Sequence, residues 1–329
     1  MTGTASRGRR TVSSVTGELE VSQLGLTLVH EHLRTGREAV YAQFPHLLDE
    51  AAVLAAAIEQ VNAARAAGVK TICEPTVMGL DRNIRFMRKV AEATGVQIIP
   101  ATGIYTFDEV PPYFATRSID HLADAFVHDI EVGIQGTEIR AAFLKCATDA
   151  PGVTSGVEMV LRAVARAHLR TGAPILTHSY PANQSGAAQQ DVFESEGVDL
   201  RRVMIGHSGD SDDLAYLERI AERGSYLGMD RFGLDDVLPM QARIETVVEM
   251  CRRGYASQLF LSQDHVCVFD RGFPEAVAAH RRHASLVLVL NEVVPRLREL
   301  GVEEASIDLM LAGNVKAWLP TRTPVPAPG

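Results

Sequence analysis

The 329-residue sequence lacks the features that would place it in a membrane or on a nucleic acid. No stretch approaches the roughly 18 consecutive apolar residues of a membrane span, and the polar start, MTGTASRGRR, has no apolar signal-peptide core behind it. The net charge is -9, and the only basic group near the start comprises Arg7, Arg9 and Arg10, too few for a surface that binds phosphate backbones. We therefore expect no nucleic-acid partner, no membrane partner and a cytoplasmic location.

Cysteine is scarce and scattered. Cys73, Cys146, Cys251 and Cys267 form no CxxC pair, so the sequence indicates neither a disulfide framework nor a thiolate zinc site. We expect all four to be buried free thiols. The GxGxxG pattern of dinucleotide-binding folds is also absent, which argues against a doubly wound open sheet.

The sequence does contain a regular alternation of short apolar runs with longer amphipathic ones. Hydrophobic residues make up 46% and charged residues 22%, which is typical of a globular enzyme. Alternating strands and helices predict a parallel sheet, and eight such units predict an α/β fold of the (β/α)₈ TIM barrel type, which about 250 residues or more can build. The predicted strands are LTLVHEH, VKTICEP, VQIIPATGIY, AAFLKCATD, APILTHS, RVMIGHSG, SYLGMD and QLFLSQD.

The segment from Asp49 to Gly68 shows how the helices are predicted. Asp49 can cap the start, Gly68 can end the helix, and apolar residues between them recur on one face. The same pattern predicts helices in TSGVEMVLRAVARAHLRTG and SDDLAYLERIAERG. We expect a flexible segment at 1–15, a single barrel domain at 16–320, and a disordered proline-rich tail at 321–329. A short β excursion between Arg9 and Leu24 should precede the first barrel strand.

Chemistry-bearing residues stand at the ends of five predicted strands. In a barrel of this type the active site lies where the strands end, so these side chains should meet at one mouth. His30 and His32 are two positions apart on an extended segment and face the same side, with Glu31 on the other. Each residue alone could be an ordinary cap or ion-paired group, but together they predict a metal site. The set is His30, His32, Lys145, His178, His207 and Asp264.

Lysine is the unusual member, because an ammonium group cannot bind a cation. Burial beside metal ions must lower the pKa of Lys145 from about 10.4, and the free amine can then take up CO₂ to form a carbamate. A carbamate has two oxygens and can bridge two ions. We therefore predict two divalent metal ions (Zn, Co, Mn or Fe) with a CO₂-derived carbamate on Lys145.

Several motifs along the chain carry a family resemblance: HEHL, PTVMGL, TGIYTFDEVPPYF, RSID, LKCATDAPG, THSYPANQSGAAQQ, IGHSGDSDD, GMDRFG and SQDH. Through them, from about Thr16 to about Leu319, the sequence resembles the phosphotriesterase family of the amidohydrolase superfamily, and within it the phosphotriesterase-like lactonases. The resemblance implies a homodimer. It also implies that His30, His32 and Asp264 hold the more buried ion and His178 and His207 the more exposed one, with carboxylated Lys145 and a hydroxide bridging them.

The charge of such a site favours hydrolysis of a neutral ester. Two divalent ions less the carbamate, the aspartate and the hydroxide leave about +1, which suits a carbonyl or phosphoryl oxygen that gains negative charge during attack. Metal coordination lowers the pKa of water toward about 7 and so supplies the nucleophile. Asp264 is then the expected proton acceptor.

Residues around the site favour lactones as substrates. Tyr105 in GIY and Arg231 in GMDRFG match the lactonase branch, whereas the dedicated aryl-phosphotriesterases carry Trp and His there. The resemblance implies that Tyr105 hydrogen-bonds near the hydroxide and that Arg231 shapes the pocket. The expected substrates are N-acyl-homoserine lactones, whose opening would be quorum quenching, or γ- and δ-lactones, with promiscuous organophosphate triesterase (paraoxonase) activity.

Two further features have both a functional and a structural interpretation. Asp210 resembles an acid that the family places behind the metal ligands, although a helix N-cap explains it equally well. The segment HVCVFDRGFP resembles a mobile loop over the substrate, in which Val266, Cys267 and Phe269 line an apolar channel or simply belong to the core.

Three alternatives remain open at this point. One is a dedicated aryl-phosphotriesterase. Another is a deaminase-like hydrolase of the superfamily, against which Lys145 argues, because those sites usually use one metal without a lysine. The third is a non-catalytic metal-stabilised barrel that binds a partner, against which the complete ligand set argues.

Overall fold

The computed structural model describes residues 10–270 and 285–319. The chain begins with an antiparallel hairpin of β1 (Thr11–Ser14) and β2 (Gly17–Glu20), which confirms the short β excursion. The expected flexible segment 1–15 is wrong for Thr11–Ser14, because β1 is paired and mostly buried. Residues 1–9 and the tail 321–329 lie outside the described residues.

Eight parallel strands form a nearly closed barrel, and each of them falls in one of the eight predicted segments. Every strand pairs with the next one along the chain, from the first barrel strand to the last. The barrel strands are β3 (Thr27–Leu28), β5 (Thr71–Glu74), β6 (Gln97–Gly103), β7 (Phe143–Ala147), β8 (Ile175–His178), β9 (Val203–Ile205), β10 (Tyr226–Met229) and β11 (Leu259–Leu261).

Two additional strands extend the barrel at its C-terminal mouth. β4 (His32–Thr35) pairs in parallel with β12 (Val266–Phe269), so the chain segments that follow the first and last barrel strands lie side by side. The expectation of a mobile loop after Asp264 is therefore wrong for Val266–Phe269, which form a hydrogen-bonded strand. The rest of that predicted loop, residues 271–274, lies outside the described residues.

Helices cover the outside of the barrel. The predicted helix after Asp49 is confirmed: the Asp49 carboxylate accepts from Ala52 N at 3.0 Å, and Gly68 follows the helix at a φ of 104°. The helices are α1 (Glu38–Gln43), α2 (Glu50–Ala66), α3 (Ile84–Thr94), α4 (Pro112–Ala115), α5 (Ile119–Glu131), α6 (Ser155–Thr171), α7 (Ser185–Ser195), α8 (Leu214–Glu222), α9 (Met240–Arg252), α10 (Val294–Glu299), α11 (Glu304–Asp308) and α12 (Asn314–Trp318). None of the described helices combines the length and the apolar character that crossing a bilayer requires.

The floor of the barrel is apolar. Phe143, Leu176, Met204 and Phe260 belong to one buried cluster with Trp318, whose ring centroid lies 5.6 Å from that of Phe143 and 5.9 Å from that of Phe260. This packing fills the lower half of the barrel, so polar chemistry is confined to the upper end of the strands.

The cysteines are free thiols, as the sequence predicts. Cys73 and Cys146 are fully buried, whereas Cys251 and Cys267 are partly exposed, so the expectation of complete burial holds for two of the four.

Candidate metal centre

Strand periodicity explains why the predicted ligands lie above the apolar floor. Phe143 and Lys145 are two residues apart on β7, and Leu176 and His178 are two residues apart on β8, so each pair shares the inward face. The strands also approach closely here: at Gly103 on β6, a Cβ would lie 1.8 Å from the Lys145 carbonyl oxygen. Only glycine allows this contact next to Lys145.

All six predicted ligands come together and are buried, each at most 6% exposed. His30 Nε2 lies 3.0 Å from Lys145 Nζ, and His207 Nε2 lies 2.9 Å from His178 Nδ1. The Asp264 carboxylate lies between these two groups. Its Oδ1 is 3.4 Å from His32 Nε2 and 3.8 Å from His30 Nε2, and its Oδ2 is 4.0 Å from His207 Nε2.

Each imidazole forms a hydrogen bond through the ring nitrogen that points away from the centre. Asp230 accepts from two of them, with 2.7 Å between Oδ2 and His30 Nδ1 and 3.0 Å between Oδ1 and His207 Nδ1. His178 Nε2 lies 2.7 Å from Asp149 Oδ2. A carboxylate can only accept, so these contacts place the ring proton on the outer nitrogen and leave the inner nitrogen with a lone pair.

His32 is oriented through a relay of two side chains. Thr76 Oγ1 donates to Glu74 Oε1 at 2.7 Å, and it therefore accepts from His32 Nδ1 at 2.6 Å. The inner nitrogen of His32 is thus also a lone-pair donor. All four imidazoles have the tautomer that metal ligation needs.

This arrangement fits a metal ion better than it fits an empty polar cluster. Two imidazole lone pairs at 2.9 Å repel each other, and a cation bound by both would turn that repulsion into coordination. His30, His32 and Asp264 form a group whose ligand atoms lie within 4.8 Å of one another. Imidazole nitrogens with carboxylate oxygens are a donor set for Zn²⁺ and its first-row neighbours.

Burial sets the protonation states at the centre. It lowers the pKa of His178 to about 4, lowers the pKa of His30 and His207 well below their ordinary value, and lowers the pKa of Lys145 to about 8. These lowered pKa values favour neutral imidazoles. They also mean that Lys145 has a substantial fraction of free amine at mildly alkaline pH. For Asp264, burial alone would raise the pKa, but the neighbouring polar side chains, the Arg231 guanidinium among them, hold it well below its usual range.

Two of the predicted ligands have unusual backbone conformations. His207 has a φ of 61° and Asp264 a φ of 49°, both in the left-handed region that non-glycine residues seldom occupy. Such a conformation costs about 1–3 kcal/mol and persists where surrounding contacts enforce it. Part of the backbone strain of the described residues therefore lies at the candidate site.

Arg231 links Asp264 to the acid expected behind the site. Its Nε donates to Asp264 Oδ2 and its Nη1 to Asp210 Oδ2, both at 3.0 Å. Arg243 holds the other oxygen of Asp210 at 2.6 Å. Asp210 is thus a buried acceptor between two arginines, and the alternative of a helix N-cap is wrong, because that helix is capped by Asp213.

The centre opens into a cavity of about 250 Å³. Tyr105 lies at its edge, with its hydroxyl 3.2 Å from His178 Nδ1, and Phe107 packs with its ring centroid 5.0 Å from that of Tyr105 and 5.2 Å from that of His178. Besides the predicted ligands and Arg231, the described lining consists of Thr35, Leu80, Tyr105, Phe107, Val266 and Phe269. The expectation that Cys267 lines the pocket is wrong: its side chain packs against the core between barrel and helices, as alternation along β12 requires.

Sequence reasoning missed the residues that support the ligands. Asp230 directly follows β10 in GMD, the same strand-end position that identified the other ligands, so a usable signal was present. Asp149 likewise ends the predicted strand AAFLKCATD, whereas Thr76 and Phe107 lie in loops that carry no comparable signal.

Comparisons with known proteins agree with this geometry. The sequence model of the phosphotriesterase family matches residues 10–319. A protein of Saccharolobus solfataricus named aryldialkylphosphatase is 44% identical over 302 residues, which covers 91% of this chain and 96% of that protein. The phosphotriesterase homology protein of Mycobacterium tuberculosis is 44% identical over 311 residues, covering 92% and 95%. A solved structure of the phosphotriesterase from Mycobacterium tuberculosis matches with a TM-score of 0.90 at 43% identity, covering 94% of this chain and 98% of that one.

Proposed function

The chain belongs to the phosphotriesterase family and is a metal-dependent hydrolase of that family, and from this premise we propose that it opens lactones at a binuclear metal centre, with a secondary organophosphate triesterase activity. The proposed substrates are N-acyl-homoserine lactones or simpler γ- and δ-lactones, so quorum quenching is the proposed role. The alternative of a non-catalytic barrel is set aside by the family assignment.

One observation supports the metal centre above all: the inner nitrogens of four imidazoles, each held from behind, converge with one carboxylate and one lysine. His30, His32 and Asp264 would hold the more buried ion and His178 and His207 the more exposed one, and Lys145, once carboxylated, would be a ligand for both. When bound, the ions supply a polarised carbonyl or phosphoryl group and a water acidic enough to attack it at neutral pH. Zn, Co, Mn and Fe all suit the donor set.

The chain's own residues then manage the proton and the orientation of the substrate. Asp264 takes the proton from the attacking water at its carboxylate and delivers it to the leaving oxygen. Arg231 Nε fixes Asp264 Oδ2 at 3.0 Å, which keeps that carboxylate aimed at the reaction site. The Tyr105 hydroxyl lies beside His178 and can donate a hydrogen bond to the substrate oxygen.

The cavity lining supports an uncharged ester with an apolar substituent. Leu80, Phe107, Val266 and Phe269 offer apolar contact, and Arg231, the one arginine among the described lining residues, is already paired with Asp264 and Asp210. A flat lactone ring stacked against Phe107 presents its carbonyl to the centre without any charge to bury.

A dedicated aryl-phosphotriesterase is the second candidate. It is favoured by the name of the Saccharolobus relative, aryldialkylphosphatase, at 44% identity. The two candidates share the metal centre and differ in which ester reacts faster.

A homodimer is also proposed. Val40, Phe44 and Leu47, on and just after α1, expose 40%, 53% and 60% of their surface, and a second subunit would cover such apolar side chains. Sedimentation or light scattering should give twice the mass of one chain, and a monomer at micromolar concentration would contradict the proposal.

The deciding experiment measures metal content and substrate preference on the same preparation. We expect two metal ions per chain at saturating supply, and kcat/KM for the best lactone orders of magnitude above that for a paraoxon-type triester. One tightly bound ion with full activity would overturn the binuclear centre. A preference for the aryl phosphotriester would select the second candidate.

A further inference from the structure

The barrel has a seam between its last and first strands. Among residues 10–270 and 285–319, strand pairing joins β3 and then β5 to β11 in series, but no ladder joins β11 directly to β3. Three single hydrogen bonds cross this seam instead: His30 N to Ser262 Oγ at 3.1 Å, Asp264 N to His30 O at 3.1 Å, and His32 N to His265 O at 2.8 Å. The predicted ligands His30, His32 and Asp264 thus stand at the place where the barrel closes.

One buried carboxylate holds most of the remaining seam contacts. Glu31 is completely buried and points away from the metal ligands on either side of it. Its Oε1 accepts from Ser262 Oγ at 2.6 Å, from Gln263 N at 3.0 Å and from Gln263 Nε2 at 2.9 Å, and its Oε2 accepts from His265 N at 2.8 Å. Four donors from the segment after β11 therefore converge on one side chain.

Two of these donors flank Asp264. The amides of Gln263 and His265 both turn toward the Glu31 carboxylate, one to each oxygen. The two amides on either side of a residue can turn toward one carboxyl group when that residue has a left-handed backbone, and Asp264 has a φ of 49°. The contact with Glu31 therefore offsets the strain at Asp264.

We propose that Glu31 is a positioning residue that closes the seam and fixes Asp264 in the orientation that the more buried metal ion requires. This inference rests on the proposed metal centre, and Glu31 itself touches neither ion nor substrate. Without it, the flanking amides lose their acceptor, the left-handed turn is no longer enforced, and the Asp264 carboxylate moves relative to His30 and His32.

Glu31→Gln tests this with minimal change in shape. The amide keeps one acceptor oxygen but turns an NH₂ group toward a backbone amide that needs an acceptor. Metal-buffer titration of the metal-free protein should show the tighter of the two sites weakened by about 10–100-fold, the range typical of a lost supporting contact. The Co²⁺-loaded variant should also show a shifted visible absorption spectrum.

Val164→Ala is the matched control. Val164 is fully buried on α6, which packs against α5, α7 and β7 on the side of the barrel opposite the seam, so its truncation should lower the melting temperature and leave the seam contacts in place. It should bind both ions as the wild type does and keep the wild-type Co²⁺ spectrum. This separates loss of stability from loss of positioning.

The outcomes distinguish this inference from the proposed function. If the wild type does not bind two ions, the metal centre itself is wrong. If the wild type binds two and Glu31→Gln binds both within about twofold with an unchanged spectrum, the positioning role is wrong. Should Glu31→Gln fail to fold, Glu31→Asp keeps the carboxyl group but is too short to reach both amides, and unchanged metal binding in that variant would likewise overturn the inference.

Discussion

Replacement of Arg231 should shift the balance between lactone and phosphotriester hydrolysis. The side chain is 18% exposed and donates to Asp264 Oδ2 and Asp210 Oδ2 at 3.0 Å each. Arg231→Ala removes both contacts and widens the cavity of about 250 Å³. Asp264 is then no longer fixed from this side.

The size of the expected change in substrate preference follows from the hydrogen bond between Arg231 and Asp264 that is lost. A hydrogen bond between charged groups contributes about 1.5–3 kcal/mol. A lactone leaves as an alkoxide that needs the proton from Asp264, whereas an aryl phosphotriester leaves as a stabilised phenolate that hardly needs one. The loss of transition-state stabilisation should therefore be larger for the lactone than for the phosphotriester. We expect the ratio of phosphotriester to lactone kcat/KM to rise roughly tenfold or more, which corresponds to about 1.4 kcal/mol of differential transition-state binding.

The assay compares kcat/KM for a γ-lactone and a paraoxon-type triester on one metal-counted preparation of each variant. Arg231→Lys keeps the positive charge but lacks the planar fork that reaches two carboxylates, so its ratio should lie between those of the wild type and the alanine variant. A ratio that stays the same in Arg231→Ala would refute the role assigned to this side chain.

Three further predictions concern the support of the site and the stability of the fold. Lys145→Ala should lose nearly all activity, and a short carboxylic acid should restore part of it by replacing the carbamate bridge; full activity without added acid would refute the carbamate. Asp230→Asn should weaken metal binding at both sites by about 10–100-fold in a metal-buffer titration, because Asp230 holds His30 and His207 at once; an effect on one site alone would contradict that sharing. Burial lowers the pKa of His168, so the unfolded chain binds the proton first as pH falls, and the contribution of His168 to stability is complete above about pH 6.5 and decreases below it. His168→Asn should therefore flatten the dependence of the free energy of unfolding on pH between about 7.5 and 5 in urea titrations, and an unchanged slope would count against this assignment.

The sequence determined those features that depend on local periodicity. Strand alternation placed Lys145 two residues above Phe143 and His178 two residues above Leu176, so the order of residues along each strand is enough to predict that both side chains point inward. The caps of α2, α6 and α8 depend on Asp49, Thr154 and Asp213, each next to its helix in the chain.

Tertiary structure alone decided how the ligands are held. Asp230 supports His30 across 200 positions of sequence, and Glu31 meets Ser262 across 231. Such contacts form only after the later strands of the barrel have returned toward the first, and no local pattern specifies which carboxylate will then face which donor. The same closure makes Val266–Phe269 a strand, because β4 offers its edge there, whereas the segment by itself resembles a loop. The sequence thus selects the ligand types and their face, and the closing of the barrel fixes their orientation, because only the closed ring brings the buried acceptors within hydrogen-bond distance of them.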